Sequence, residues 1–184
     1  MRQIKILSVN VSDEKGTVKR AVELIRLTEI GVEGDAHSGM WNRQVSLLGM
    51  ESIRKFEEQS NRKIRFGDFA ENITTEGEEL WKMKPLDRIL CGGTEMEVTQ
   101  IGKECHGTSC AIFKEVGNCV MPKEGIFCRV IRQGSLQAGD ICEYQPKVFS
   151  IRIITLSDRA SRGEYEDRSG PRIKTLLEEF FNYF

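Results

Sequence analysis

The sequence predicts a mostly β domain, barrel or sandwich, over residues 1–147, then a strand–loop–helix fragment of an α/β domain over residues 148–184. Three observations predict this. Short runs rich in Val and Ile recur between frequent turn signals. Only two segments of the first stretch suit helices. After Pro146 the pattern changes to one longer apolar run, a polar stretch and an amphipathic segment.

The elements follow in order. Residues 4–11 alternate and are rich in Ile and Val, which reads as a strand. A polar turn at 12–16 leads into a second strand at 18–28, carrying Val22, Leu24, Ile25 and Leu27. Gly31, Gly34 and Gly39 mark a loop around Asp35 and His37, and 44–48 resumes as a strand. Met50, Ile53 and Phe56 lie at helical spacing with charges between them, so 50–59 reads as a helix. Residues 69–75 form a short strand ending at Glu76-Gly77. Runs 87–90 and 95–100 predict a hairpin across Cys91-Gly92-Gly93. Residues 109–116 read as a short helix, and 125–131 and 140–144 as further strands.

Beyond Pro146, residues 149–156 predict an apolar strand and 157–170 a polar loop. Pro171 then suits the first position of a helix whose Ile173, Leu176, Leu177 and Phe180 share one face. This tail is shorter than the roughly 40 residues at which a segment folds alone. Its apolar end, Phe180 to Phe184, calls for burial on the β domain or on a partner, and a second copy there would make a homo-oligomer.

Bulk composition narrows the function. A net charge of −1 provides no overall basic field for nucleic acid or an anionic membrane. No run approaches the roughly 20 apolar residues of a spanning helix, and the N-terminus lacks an apolar signal-peptide core. A cytoplasmic protein is expected, in which Cys91, Cys105, Cys110, Cys119, Cys128 and Cys142 stay reduced. Cys91, Cys128 and Cys142 sit in or beside apolar strands and read as small buried hydrophobes. Cys105, His106, Cys110 and Cys119 could supply four zinc ligands, but no C-x2-C pair occurs, and no metal site is assigned.

Cys105 stands out. A thiol reacts as its thiolate, which a neighbouring cation or imidazolium favours. Lys103 and His106 place one of each within three residues. In an extended chain Lys103 shares a face with Cys105, and His106 points to the other side.

The motifs then resemble a known family. Gly34-Asp35-Ala36-His37, Arg43-Gln44-Val45-Ser46-Leu47-Leu48, Phe69-Ala70-Glu71-Asn72-Ile73-Thr74-Thr75-Glu76-Gly77, and Glu97-Val98-Thr99-Gln100 leading to Cys105 resemble the MOSC domain, the C-terminal module of molybdenum cofactor sulfurase. The resemblance implies a β-barrel-like fold and a role in carrying sulfur, or holding the molybdenum cofactor, through the cysteine that maps onto Cys105. This chain departs from the family in having Glu104 before the cysteine, where proline is frequent, and further cysteines after it. The run from Thr155 to Pro171, Thr-Leu-Ser-Asp-Arg-Ala-Ser-Arg-Gly-Glu-Tyr-Glu-Asp-Arg-Ser-Gly-Pro, resembles the opening of a molybdopterin adenylyltransferase domain. That family's substrate loop and catalytic acids lie further along, so adenylyl transfer is not expected here.

Together these readings make the chain a sulfur-carrier and cofactor-handling module of molybdenum cofactor metabolism, and a sulfurtransferase if it is an enzyme. Cys105 would form a persulfide, with Lys103 and His106 as its tuning groups. Asp35, His37, Arg43, Asn72, Thr74 and Thr75 would bind the molybdenum–pterin cofactor, while Glu71 reads as structural. The sulfur donor would be a cysteine desulfurase that holds pyridoxal phosphate itself, and the acceptor a molybdoenzyme or a cofactor-synthesis enzyme. The alternatives are a non-catalytic cofactor-binding module and a cofactor-dependent reductase of N-hydroxylated compounds.

Overall fold

The computed structural model describes residues 2–104 and 119–182. The chain divides into two compact units, Met1–Lys147 and Val148–Phe184.

The first unit is a closed barrel. Strands β1 (Arg2–Val11), β2 (Arg20–Val22), β3 (Leu24–Thr28), β4 (Gly31–Val32), β5 (Val45–Gly49), β6 (Ile73–Glu76), β7 (Arg88–Cys91), β8 (Thr94–Ile101), β9 (Ile126–Arg132), β10 (Gly134–Gln137) and β11 (Ile141–Gln145) appear in chain order. Seven of them run around the ring as β11-β7-β8-β9-β5-β6-β1, and β1 closes back on β11 through the pairs from Arg2↔Tyr144 to Lys5↔Ile141. Closure removes the exposed edges that an open sheet would carry. β2 adds to the far end of β1, at Val9–Val11. β10, β3 and β4 make a small second sheet.

Local sequence explains most of these elements. The two-residue Gly92-Gly93 turn, with Gly92 at φ +56°, joins β7 and β8. β5 is buried along its whole length, with Val45, Leu47 and Leu48 in the core and Ser46 hydrogen-bonded to Ala70 O and Asn72. β5 and β6 are the ring's parallel neighbours. A parallel pair needs a crossover, and helix α1 (Met50–Ser60) lies in it. Ile53 and Phe56 face inward from α1, and Phe56 meets Phe69 edge to face at 5.1 Å. Burial of such a ring contributes about 2 kcal/mol, and the aromatic contact about 1 more. α1 ends at Asn61, which takes the left-handed conformation.

The main core fills the barrel with Ile4, Ile6, Val9, Val45, Leu47, Ile73, Met96 and Val98, joined by Ile25, Leu27 and Leu136 of the small sheet. Cys91, Cys128 and Cys142 lie in it at 2%, 0% and 2% exposure, as small hydrophobes do.

Several expectations need correction. The 18–28 run is two strands, because the chain changes sheets at Glu23: β2 pairs with β1, and β3 with β10. β10 is an additional strand that the sequence pattern left unmarked. The alternation of β1 breaks at Leu7, where a bulge shifts the register between Ile6↔Thr75 and Ser8↔Thr74. The expected helix at 109–116 lies outside the described residues.

In the second unit, residues 149–156 form no strand among the described residues. A strand exists only through ladder partners, and this unit supplies none. The helix is present as Ser169–Asn182, with Pro171 third rather than first. Asp167 caps it, accepting from Ser169 N (2.9 Å) and Gly170 N (3.3 Å). Phe149 packs on Phe181 at 5.4 Å, while Leu156 is 92% exposed. No described helix is long and apolar enough to cross a membrane.

Candidate functional site

The bulge at Leu7 builds the site. Before it, Ile4 and Ile6 point into the barrel; after it, Val9 does. Ser8 and Asn10 are thereby turned to the opposite face, yet both are buried, because the 66–72 loop covers them. Ser8 Oγ donates to Asn10 Oδ1 at 2.7 Å, and Asn10 Nδ2 donates to Glu71 O at 3.2 Å. A buried polar layer thus forms on the outside of the barrel wall.

Asp35 and Lys19 sit at the end of that layer. Their side chains are each 1% exposed and form an ion pair. Asp35 also accepts from Ser12 N (3.1 Å), His37 N (2.9 Å) and Asn72 Nδ2 (3.1 Å). Burial works against its charge, but the hydrogen bonds from His37 and Lys19 outweigh this, and the carboxyl is held well below the usual range. Lys19 also moves down, although an ion pair alone would raise it. Burial is the largest influence on its ammonium and exceeds the support of Asp35 and Glu71. Asp35, with several donors, anchors the charge of the pair, and burial lowers the Lys19 pKa from its ordinary value.

Three neighbours complete the cluster. His37 Nδ1 lies 3.4 Å from Asp35 Oδ1 and 3.5 Å from Lys19 Nζ, and its side chain is 30% exposed. Glu71 is fully buried and accepts from Gly67 N (2.7 Å) and Thr74 Oγ1 (2.8 Å). Its other oxygen has no partner among the described residues. Burial raises the Glu71 pKa against those two donors. Asn72 ties the cluster to β5, its Oδ1 accepting from Ser46 N at 3.1 Å and Ser46 Oγ at 2.9 Å.

Two backbone features allow this approach. Gly67, at φ +90°, lies so close to Lys19 that a Cβ would stand 2.2 Å from Lys19 O. Lys19 N donates to Gly67 O at 2.9 Å, so the 66–72 loop is laid directly on the lysine. Ala70 holds φ +61°, a left-handed conformation costing about 1 kcal/mol.

The 33–44 loop is braced separately. Gln44 Nε2 donates to Glu29 O (2.8 Å) and Gly39 O (3.2 Å), and its Oε1 accepts from Val130 N (2.8 Å). Trp41 Nε1 donates to His37 O at 2.9 Å. Thr99, the extra residue in a β8 bulge, has its hydroxyl within reach of Phe127 O and Asn42 O. Arg43 lies over the Trp41 ring (4.8 Å) and the Phe127 ring (5.7 Å). It has no carboxylate partner among the described residues.

Lys103 leaves the end of β8. Its N–H donates to Pro122 O at 3.2 Å, and its charge is among the influences that lower Lys19. Beside Lys19 opens a hollow of about 760 Å³ whose walls include Ser12, Thr17, Arg20 and Arg65.

The expected site residues therefore separate. Asp35, His37 and Asn72 meet in one hydrogen-bonded cluster, Arg43 stands on the same braced loop, and Lys103 is within electrostatic reach. Thr74 and Thr75 are 0% and 1% exposed and show no surface to a ligand. Thr74 serves Glu71 and Asn10, and Thr75 pairs with Ile6 in the barrel wall. Glu71 is structural in its hydrogen bonds, though with an unusual buried acid. Cys105 and His106 lie outside the described residues, as does Cys110. No group of three or more His, Cys, Asp or Glu side chains among the described residues could hold a metal ion. Lys19 escaped sequence reasoning; its only signal was a lone lysine in an otherwise strand-like run.

Comparison with known proteins adds a family. The family model for the MOSC domain matches residues 34–143, more than half of the chain. The chain belongs to the MOSC domain family. The MOSC match begins one residue before Asp35 and spans His37, Arg43, Asn72 and Lys103, leaving Lys19 upstream. Among solved structures, this MOSC chain resembles the YUAD protein from Bacillus subtilis, with 18% identity, TM-score 0.67, and 79% of this chain and 97% of that one covered. It also resembles YiiM from Geobacillus stearothermophilus (21% identity, 77% and 74% covered, TM-score 0.61) and YiiM from Escherichia coli (20%, 94% and 90%, TM-score 0.56). At these identities the likeness is one of fold, and it bears out the mostly β, barrel-like expectation. No match emerges among curated proteins. MOSC domains are associated with the molybdenum cofactor. The donor chemistry fits the anionic part of such a group: Arg43 has no competing carboxylate, His37 is part-exposed, and Lys103 has no ion-pair partner among the described residues.

Proposed function

We propose that this MOSC protein is a sulfur-carrier and cofactor-handling module of molybdenum cofactor metabolism. The observation that carries the reading is the buried Lys19–Asp35–Asn72 cluster with His37 at its rim, electrostatically coupled to Lys103, two residues before Cys105. Basic groups suit an anionic ligand, and a lysine two residues from a cysteine in sequence suits a thiolate.

Each residue has a distinct task. Arg43 and Lys103 attract the anionic group of the ligand, and His37 donates to it from the part-exposed rim. Asp35 and Asn72 hold His37 and Lys19 in place. The bound molybdenum–pterin cofactor would supply the metal centre whose sulfur content is to be set. The Cys105 thiolate attacks the outer sulfur of a persulfide on a cysteine desulfurase. That S–S bond breaks, the desulfurase thiolate leaves, and Cys105 keeps the sulfur as Cys–S–SH. Pyridoxal phosphate belongs to the desulfurase. A molybdoenzyme or cofactor-synthesis enzyme receives the sulfur. The adenylyltransferase-like run at 155–171 supports the same metabolic setting.

The test is incubation with a cysteine desulfurase, pyridoxal phosphate and cysteine, followed by peptide mass spectrometry. The reading requires one added sulfur on Cys105, absent from Cys105→Ala. An adduct that persists in Cys105→Ala, or none at all, overturns the carrier role. Molybdenum and pterin co-purifying without any sulfur adduct would favour the pure binding module.

A further inference from the structure

A second pair of cysteines lies in the barrel wall and has no part in that scheme. β7 and β11 are antiparallel neighbours, and their register sets Cys91 directly opposite Cys142. Opposed residues in such a pair have Cα atoms about 4.5–5.5 Å apart, inside the span of about 4.4–6.8 Å that disulfides bridge. Both cysteines are unbridged and buried. A surface hollow of about 370 Å³ has both in its walls, which opens a route for a small oxidant to a pair otherwise only 2% exposed. Cys128 differs. It is 0% exposed, and the residues opposite it are Val45 and Val98.

We propose that Cys91 and Cys142 form a redox modification site, a reversible cross-strand disulfide that staples β7 to β11. β11 is the strand on which β1 closes the barrel, so the staple fixes one side of the closing seam. The oxidant is a small-molecule disulfide. The thiolate of one of the two cysteines attacks one of its sulfurs, forming a mixed disulfide and releasing one small thiol. The other cysteine then attacks that protein sulfur, releases the second small thiol and closes the intrachain bond. Two cysteine thiols are oxidised, one small disulfide is reduced, and the two protons leave on the two small thiols.

The full chain is reduced, freed of reductant, exposed to oxidised glutathione at neutral pH, alkylated and digested with trypsin without reduction. Peptides 89–103 and 133–147 carry Cys91 and Cys142 as their single cysteines. The proposal requires these two peptides to be joined by a link that dithiothreitol removes. Cys142→Ala and Cys91→Ala must each abolish the link between the two peptides. Recovery of both peptides alkylated, or as separate glutathione adducts in the native sequence, overturns it. The mapping of the native sequence needs no variant to fold.

Discussion

Replacing Asp35 with Asn tests how the cluster is held. The substitution keeps the shape and one acceptor oxygen but removes the charge that faces Lys19. Lys19 would then be a lysine with a side chain 1% exposed and no adjacent counter-charge but the more reluctant Glu71. Breaking a buried pair from one side costs about 3–5 kcal/mol, because the stranded ion still lacks water. The Asn oxygen can still accept from Ser12 N or His37 N, so the lower end, about 3 kcal/mol, is expected. For a unit of this size that is a fall of about 6–12 °C in Tm. Lys19→Met should cost less, about 2 kcal/mol, since Asp35 keeps Ser12 N, His37 N and Asn72 Nδ2. The double variant should lose less than the sum by about 2 kcal/mol, the signature of a direct pair. Denaturant unfolding of all four proteins at neutral pH gives the cycle. A loss below about 1 kcal/mol for Asp35→Asn, or additive losses, would refute the reasoning, for the pair would then be exchanging with water.

The other predictions concern pH, backbone and access. The folded pKa of Glu71 is raised, so its contribution is complete below the unfolded carboxylate value of 4.5 and is lost as pH rises through the folded value. Glu71→Gln, which mimics the protonated acid, should flatten that decline in a series of unfolding curves above pH 4.5; an unchanged slope would clear Glu71 of the effect. Asp35 has the opposite sign. Its depressed pKa contributes stability above the unfolded value of 3.8 that is lost as pH falls, so Asp35→Asn should weaken the acid sensitivity of unfolding. Gly102→Ala should destabilise by about 1–3 kcal/mol, because φ is +67° and the new Cβ would meet Pro122 O at 2.3 Å. Cys128, buried at 0% with its thiol pushed up by desolvation, should resist alkylation until the protein unfolds, as a time course of iodoacetamide labelling would reveal.

The site is economical in where its charges come from. Lys19 lies 16 residues before Asp35, and Asn72 lies 37 after it. They meet because β1 ends where β2 and β6 begin, and the 66–72 loop is laid on Lys19. The buried ion pair, the Glu71 oxygen with no partner among the described residues and the left-handed Ala70 all belong to Lys19, Asp35 and the 66–72 loop laid on them.

Part of the candidate cluster was legible locally. Glycines at 31, 34 and 39 announced a loop, and Asp35, His37 and Arg43 were recognisable within it. Thr74 and Thr75 show the limit. In sequence they are plausible ligand contacts, but their place in a barrel strand buries both side chains. Lys19 shows the reverse, since a lysine in a strand-like run reads as an exposed residue until the 66–72 loop covers it.

The sequence by itself determined the mostly β class, the α1 helix, the Gly92-Gly93 hairpin and the buried character of Cys91, Cys128 and Cys142. Each depends on local periodicity, turn chemistry or apolar content, which a short window contains. Only the tertiary structure decided the change of sheet at Glu23, the absence of a strand at 149–156 and the inversion of β1 at Leu7. A strand is defined by its partners and a bulge by a mismatch between two strands, so neither is a property of one segment. That inversion turned Ser8 and Asn10 away from the core and into the network that holds Lys19, Asp35 and Asn72 together.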